Sequence, residues 1–228
     1  MWEMPSLICL VLSACPKLIS VPAGGLHRLT GLRTLHIGPF TEMVDFEAFQ
    51  LIFNGIQQLL SLRNLRVCGR GHWDSLPYQL MQLSALTDII ICDFGIEALP
   101  HRLDNLTSLE SLQLWRCKRL QHVDFSNAMP KLRYVDIYDC PLLQALSDGL
   151  GNLVSLRELS LRNCEKLEHL PYRDAMLRLT KLQSLKIEGC PKLEESCNNR
   201  SGPNSQWSNI SHIQKIEVGG SIIQNLRY

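Results

Sequence analysis

The 228-residue sequence predicts an α/β repeat solenoid, with a parallel β-sheet on the concave side and irregular or short-helical segments on the convex side. Three observations carry this. Leucines recur in one fixed spacing, L-x-x-L-x-L-x-x-C. That phrase starts nine times, at intervals of 25, 30, 24, 23, 23, 24, 26 and 31 residues. Each copy is followed by a second, looser apolar beat that often ends in proline. Self-similarity at such a period marks stacked units, none of which can bury its apolar face alone.

Taken in order, the copies are Leu7, Leu10, Leu12, Cys15, then Leu32, Leu35, Ile37, Phe40, then Leu62, Leu65, Val67, Arg70. They continue as Leu86, Ile89, Ile91, Phe94, then Leu109, Leu112, Leu114, Cys117, then Leu132, Val135, Ile137, Cys140. The last three are Leu156, Leu159, Leu161, Cys164, then Leu182, Leu185, Ile187, Cys190, and a weaker Ile213, Ile216, Val218, Ser221. The pattern is that of a leucine-rich-repeat horseshoe. Strand side chains alternate, so the leucines point inward and the intervening residues face the concave surface.

The return segments carry Val21-Pro22, Leu76-Pro77, Leu99-Pro100 and Leu170-Pro171, where proline stops a regular helix. Ladders at spacing three, such as Leu103, Leu106, Leu109 and Leu150, Leu153, Leu156, suit single-turn helical paths. One segment is longer. Phe46, Phe49, Phe53, Ile56 and Leu60 fall at helical spacing and predict an amphipathic helix over 45–60. The whole chain, 1–228, is expected to be one domain of about nine repeats, with 191–228 as the closing repeat.

Net charge is +1, and no long basic run argues for a nucleic-acid groove. No apolar run is long enough to span a membrane, and residues 7–21, which look like a signal h-region, fall in the repeat phase. Of nine cysteines, Cys15, Cys117, Cys140, Cys164 and Cys190 share the corner after the strand. There a thiol serves as a small hydrophobe with a weak donor. An odd count argues against a disulfide framework, and one cysteine per repeat argues against zinc spacing. A thiol in a dry column has a raised pKa and is inert. The corner cysteines are therefore expected to be structural, buried and unpaired, in a reducing, intracellular setting.

The corner cysteine followed by "PKLISVP", "KRLQHV", "PLLQAL" or "EKLEHLP" resembles the C-terminal repeats of plant nucleotide-binding leucine-rich-repeat immune receptors. Residues 189–220 are similar to the terminal repeat of the coiled-coil subclass, and Cys190, Pro191, Leu193, Cys197, Trp207, His212 and Ile213 carry the match. Gln206 stands where that family commonly has an acidic residue, and residues 202–205 lengthen the loop. The resemblance implies a cytoplasmic module that recognises a pathogen effector or a guarded host protein. It also implies autoinhibition through the receptor's nucleotide-binding domain. No G-x-x-x-x-G-K-[S/T] occurs, so no nucleotide and no other cofactor is expected on this chain, which reads as part of a larger receptor. A leucine-rich substrate adaptor of a ubiquitin ligase is the alternative, although such adaptors favour a longer helix after the corner.

Trp115, Arg116, Tyr134, Asp136, Tyr138 and Arg162 fall on adjacent coils of the concave face and are the expected partner-binding residues. Trp, Tyr and Arg dominate interface energetics. Arg63, Arg66 and Arg70 form a smaller basic group expected to be merely solvated. The sequons at Asn105, Asn199 and Asn209 are read as chance, and His101, His122 and His169 as surface residues. No nucleophile–base or carboxylate constellation suggests an enzyme. Leu7, Leu10 and Leu12 lack a coil beneath them, which predicts self-association of the isolated chain, readable by light scattering.

Overall fold

The computed structural model describes residues 4, 6–13, 15, 25–125, 128–202 and 205–226. The Val21-Pro22 return therefore lies outside the described residues. In chain order the strands are β1 (Cys9–Leu12), β2 (Thr34–Ile37), β3 (Asn64–Cys68), β4 (Asp88–Cys92), β5 (Ser111–Trp115) and β6 (His122–Val123). There follow β7 (Tyr134–Tyr138), β8 (Ala145–Leu146), β9 (Glu158–Arg162), β10 (Ser184–Glu188), β11 (Lys215–Val218) and β12 (Ser221–Asn225). The α-helices are α1 (Phe46–Ile52), α2 (Arg173–Arg178), α3 (Pro191–Asn198) and α4 (Trp207–Ile210).

All nine copies of the phrase become strands, and they stack in one sheet in the order β1-β2-β3-β4-β5-β7-β9-β10-β11-β12. From β1 to β11 every pairing is parallel. The register aligns Leu35, Leu65, Ile89, Leu112, Val135, Leu159, Leu185 and Ile216, all 2 % exposed or less. Each buried aliphatic side chain of this kind contributes about 1.5–3 kcal/mol. The molecule is thus a leucine-rich-repeat solenoid with a parallel sheet, as the spacing predicts.

The return path is built from short 3₁₀ turns, among them Tyr78–Gln82, His101–Asn105 and Asp148–Asn152. Two of these follow Pro77 and Pro100 directly, where a missing N–H leaves no intrahelical bond unmade. A second, two-stranded parallel sheet pairs β6 with β8 on this side.

The helix expected over 45–60 is shorter. Asp45 caps α1 by accepting from the Ala48 N–H at 2.7 Å, but the helix ends at Ile52. Gly55 then takes a left-handed φ of 78°, and a 3₁₀ turn, Ile56–Gln58, follows. Asn54-Gly55 breaks the periodic run, and Leu60 is left 74 % exposed.

The corners repeat one backbone device. Asp93, Arg116, Asp139, Asn163 and Gly189 all have positive φ, between 54° and 67°. Each directly precedes Phe94, Cys117, Cys140, Cys164 or Cys190. Their N–H groups extend the ladder by donating to the next coil: Asp93 to Trp115 O at 3.0 Å, Arg116 to Tyr138 O at 2.8 Å, Asp139 to Arg162 O at 2.8 Å.

Behind that turn lies the thiol column. Cys117, Cys140, Cys164 and Cys190 are fully buried and unpaired. Each thiol donates to two strand carbonyls, one on its own coil and one on the coil before. Cys164 Sγ, for example, reaches Arg162 O at 3.5 Å and Ile137 O at 3.9 Å. Hydrogen bonding to the neighbouring thiol and burial push the Cys140 and Cys164 thiols far up. Cys15 differs, being half-buried and bonded only to Ser13 O at 3.4 Å.

Cys68 and Cys92 lie outside the corner column, whose cysteines are free. They end β3 and β4 at paired register positions and are joined by a disulfide, buried at 3 % and 0 %. Alternation placed both on the outward face. Both are nonetheless buried, and the backbone is close-packed there, since a side chain at Gly38 would meet the Cys68 carbonyl.

The last strand was not anticipated. Ser221 does not occupy a corner; it opens β12, which runs antiparallel to β11. Gly219 and Gly220, at φ 58° and 77°, make the two-residue turn with two left-handed residues that suits a tight hairpin.

Candidate functional site

The strands β3 to β10 present their outward residues in columns, because each coil is in register with the next. Asp136, in the middle of β7, is the hub. It is only 1 % exposed, although it points away from the leucine core. Trp115 on β5 donates its indole N–H to Asp136 Oδ2 at 3.0 Å. Arg162 on β9 closes on the same carboxylate with two bonds, Nε to Oδ1 at 3.2 Å and Nη2 to Oδ2 at 2.8 Å. Burial of a carboxylate is tolerable only with such partners.

Two cations then lie on aromatic faces. The Arg162 guanidinium sits 5.0 Å from the Tyr138 ring centre, and Arg66 sits 5.1 Å from that of Trp115. Each such contact contributes about 0.5–1 kcal/mol at an exposed site. Tyr134 flanks the hub. Burial, with the nearby Asp136 charge, pushes its phenol up and keeps it neutral. The result is a pre-organised platform, Arg66–Trp115–Asp136–Arg162–Tyr138, spanning five consecutive strands of the sheet, β3, β4, β5, β7 and β9. Its aromatic rings remain half-exposed.

Of the six residues expected here, Trp115, Tyr134, Asp136, Tyr138 and Arg162 come together. Arg116 does not join them. It turns the corner and grips Asp93 with two 2.7 Å bonds. Asp136, expected on an open face, is instead covered. The expected basic group also disperses. Arg63 bonds the carbonyls of Leu60 and Leu62, Arg70 bonds Phe40 O at 2.6 Å, and Arg66 crosses two coils to Trp115. The signal for that crossing was available, since Arg66, in the middle of β3, and Trp115, at the end of β5, face the same side. Side-chain reach over Ile90 was not.

Beyond the platform the face is closed by charge pairs. Lys186 bridges Glu188 at 3.0 Å and Glu217 at 3.3 Å. On the convex side His122 and His169 are exposed, as are Asn105 and Asn199, while Asn209 is half-buried and donates to Gln206 and Pro171. The His101 side chain lies outside the description. Among the described residues no helix is long and apolar enough to cross a membrane.

Comparison with known proteins supports the fold. No protein-family model matches the sequence, and the curated proteins give no match. Among solved structures, the leucine-rich repeat domain of the type III effector XopL matches with a TM-score of 0.59 and 22 % identity, over 95 % of this chain and 78 % of that one. TLR13, in its complex with ssRNA13, matches with a TM-score of 0.50 and 17 % identity, over 99 % of this chain and 37 % of that one. An internalin, InlF from Listeria monocytogenes, aligns over 92 % of this chain with 14 % identity and a TM-score of 0.44.

Proposed function

We propose that this chain is a protein-interaction module of a cytoplasmic plant immune receptor, reading a pathogen effector or a guarded host protein on its concave face. The observation that carries the reading is the platform centred on Asp136. A buried carboxylate fixes the Trp115 indole and the Arg162 guanidinium, Arg66 stacks on that indole, and Arg162 stacks on Tyr138. Rigid aromatic and arginine groups of this kind bind with little loss of side-chain freedom. The receptor class rests on the resemblance of the corner cysteines and of residues 189–220. Short 3₁₀ returns, rather than long helices after each corner, support it over a ubiquitin-ligase adaptor.

Autoinhibition follows as differential binding. Contact with the nucleotide-binding domain favours the closed state, and a ligand that prefers the open state shifts the population. The test begins with the reading frame upstream of Met1. A nucleotide-binding domain there supports the proposal, and an F-box there overturns it in favour of the adaptor. In the full receptor, Trp115→Ala with Tyr138→Ala is expected to abolish effector-dependent cell death while the protein accumulates normally. Undiminished recognition by that variant would remove the platform from the binding face.

A further inference from the structure

We propose that Cys68, Cys92 and Asp93 form a redox-gated site for a single thiophilic divalent cation of the zinc type. The proposal stands on geometry and does not depend on which partner the concave face binds. The parallel register of β3 and β4 sets Cys68 directly beside Cys92, with Cα atoms 4.6 Å apart. Asp93 follows at once and turns left-handed, φ 63°. One ligand atom from each of the three residues lies within 4.8 Å of the others.

A structural disulfide needs two cysteines and no third group. Here a carboxylate oxygen lies within 4.8 Å of the sulfur pair, and the carboxylate is itself fixed by two 2.7 Å bonds from Arg116, one to each oxygen. That is the arrangement of a ligating carboxylate with its outer-shell partner. The coil after next provides a contrast. Asp139 occupies the equivalent corner but has Tyr138 and Trp115 where the sulfurs would be, and it pairs with Lys118 instead. The corner cysteines provide another. Their thiols are stacked one per coil in the dry interior, each donated to carbonyls, with no carboxylate among them.

The chemistry balances. Two equivalents of a small thiol such as glutathione transfer two electrons and two protons to the disulfide, giving Cys68–SH, Cys92–SH and one oxidised glutathione. The cation then displaces both thiol protons and binds two thiolates and the carboxylate. The ligand charge of −3 is met by +2 from the ion and +1 from Arg116, so the buried site is neutral. Zinc–sulfur bonds of about 2.3 Å separate tetrahedrally placed sulfurs by roughly 3.8 Å, within reach of side chains on neighbouring strands. The sulfurs are buried, while the Asp93 side chain is 31 % exposed and marks the side from which ion and water enter. Three protein ligands leave the fourth position to water. Oxidised glutathione reverses the sequence: it takes two electrons from the thiolates and two protons from water to leave as two glutathione thiols, while the disulfide reforms and the ion is released.

Cobalt(II) is the probe, because its thiolate complexes absorb in the near ultraviolet. The whole chain, reduced with a phosphine under argon, is expected to bind one Co²⁺ with that absorption, and Zn²⁺ to displace it. The oxidised chain should show none. Cys68→Ser/Cys92→Ser should abolish the signal, with the circular dichroism spectrum checking the fold. Asp93→Asn changes only the partly exposed carboxylate and keeps both sulfurs, and it is expected to weaken binding about tenfold or more while the thiolate absorption persists at saturation. Several results overturn the proposal: no absorption from the reduced chain, a signal that survives loss of both cysteines, equal binding by the oxidised chain, or unchanged affinity in Asp93→Asn.

Discussion

Between Leu109 and Cys190 every coil turns its corner on a cysteine, and the phrase returns every 23, 24 or 26 residues. Between Leu32 and Phe94 the same position holds Phe40, Arg70 and Phe94, and one coil lengthens to 30 residues. The two regions fill one geometric need differently. A thiol is small enough to sit beneath the turn and bond to carbonyls of two coils, so the C-terminal coils are uniform. Phenylalanine is too large for that pocket and makes no such bonds. The N-terminal coils instead bury an aromatic pile, which α1 helps to fill. Phe49 of α1 is the centre, with ring centres 6.0 Å from Phe40, 5.2 Å from Phe53, 4.8 Å from Trp73 and 6.3 Å from Phe94. Polar satisfaction follows the same division. Among the described residues, the buried side-chain atoms without a partner are Thr41 Oγ1, Arg70 Nε and Gln79 Oε1, all in the irregular region.

The largest expected effect attacks the pile. Phe49→Ala removes a fully buried ring that four other aromatic rings touch, and it should lower stability by about 3–5 kcal/mol, read as a shift of the denaturant midpoint at constant slope. A loss below about 1 kcal/mol would mean that α1 is an ornament and the coils close without it. Next comes the polar hub of the regular region. Asp136→Ala leaves the Arg162 guanidinium and the Trp115 indole without their shared acceptor. The cost should be about 1–3 kcal/mol, tempered because Arg162 is one-third exposed.

How much of this was legible in the sequence differs along the same division. The nine parallel strands follow from leucine spacing alone, because a fixed period leaves one way to stack the inward residues. The thiol corners follow from their recurrence at one phase. The left-handed residue before each corner was foreshadowed by Asp93, Asp139, Asn163 and Gly189, the residue types that tolerate that conformation, and concealed by Arg116. The Cys68–Cys92 pair had a signal too, two cysteines 24 apart in one column, but alternation said only that both faced outward. Whether an outward position is open depends on what its neighbours do. Asp136 is closed in by Trp115 and Arg162 from the strands on either side, and alternation says nothing of such side-chain reach. The β12 hairpin was written in Gly219-Gly220, and a search for the repeat alone passes over it.

The thiol column itself predicts a smaller effect. Cys164→Ser exchanges a thiol that donates weakly in a dry pocket for a hydroxyl, and it should cost about 1–2 kcal/mol through desolvation. Labelling gives a sharper comparison. Exposed Cys9 should react promptly with a thiol reagent, whereas Cys117, Cys140, Cys164 and Cys190 should react only through opening of the coils. Prompt reaction of Cys140 or Cys164 in the folded chain would show that the corners are not closed as described. Burial also pushes the Cys197 thiol up to about 12, so it should stay silent with the column.

The smallest effect separates backbone from side chain at the one corner that breaks the pattern. Arg116 holds φ 55° where its neighbours in the column use Asp, Asn or Gly. A left-handed conformation costs an ordinary residue roughly 1–2 kcal/mol. Its ion pair with Asp93 offsets little of this, since the side chains are 37 % and 31 % exposed and such pairs contribute about 0–1 kcal/mol. Arg116→Ala removes the pair and keeps the backbone cost, so it should be mildly destabilising. Arg116→Gly removes the pair and the backbone cost together, less what the more flexible unfolded chain takes back. The glycine variant should therefore exceed the alanine variant by roughly 1 kcal/mol and come close to the parent. Equal stability of the two would mean that the Arg116 corner is unstrained, and that the column tolerates any residue there.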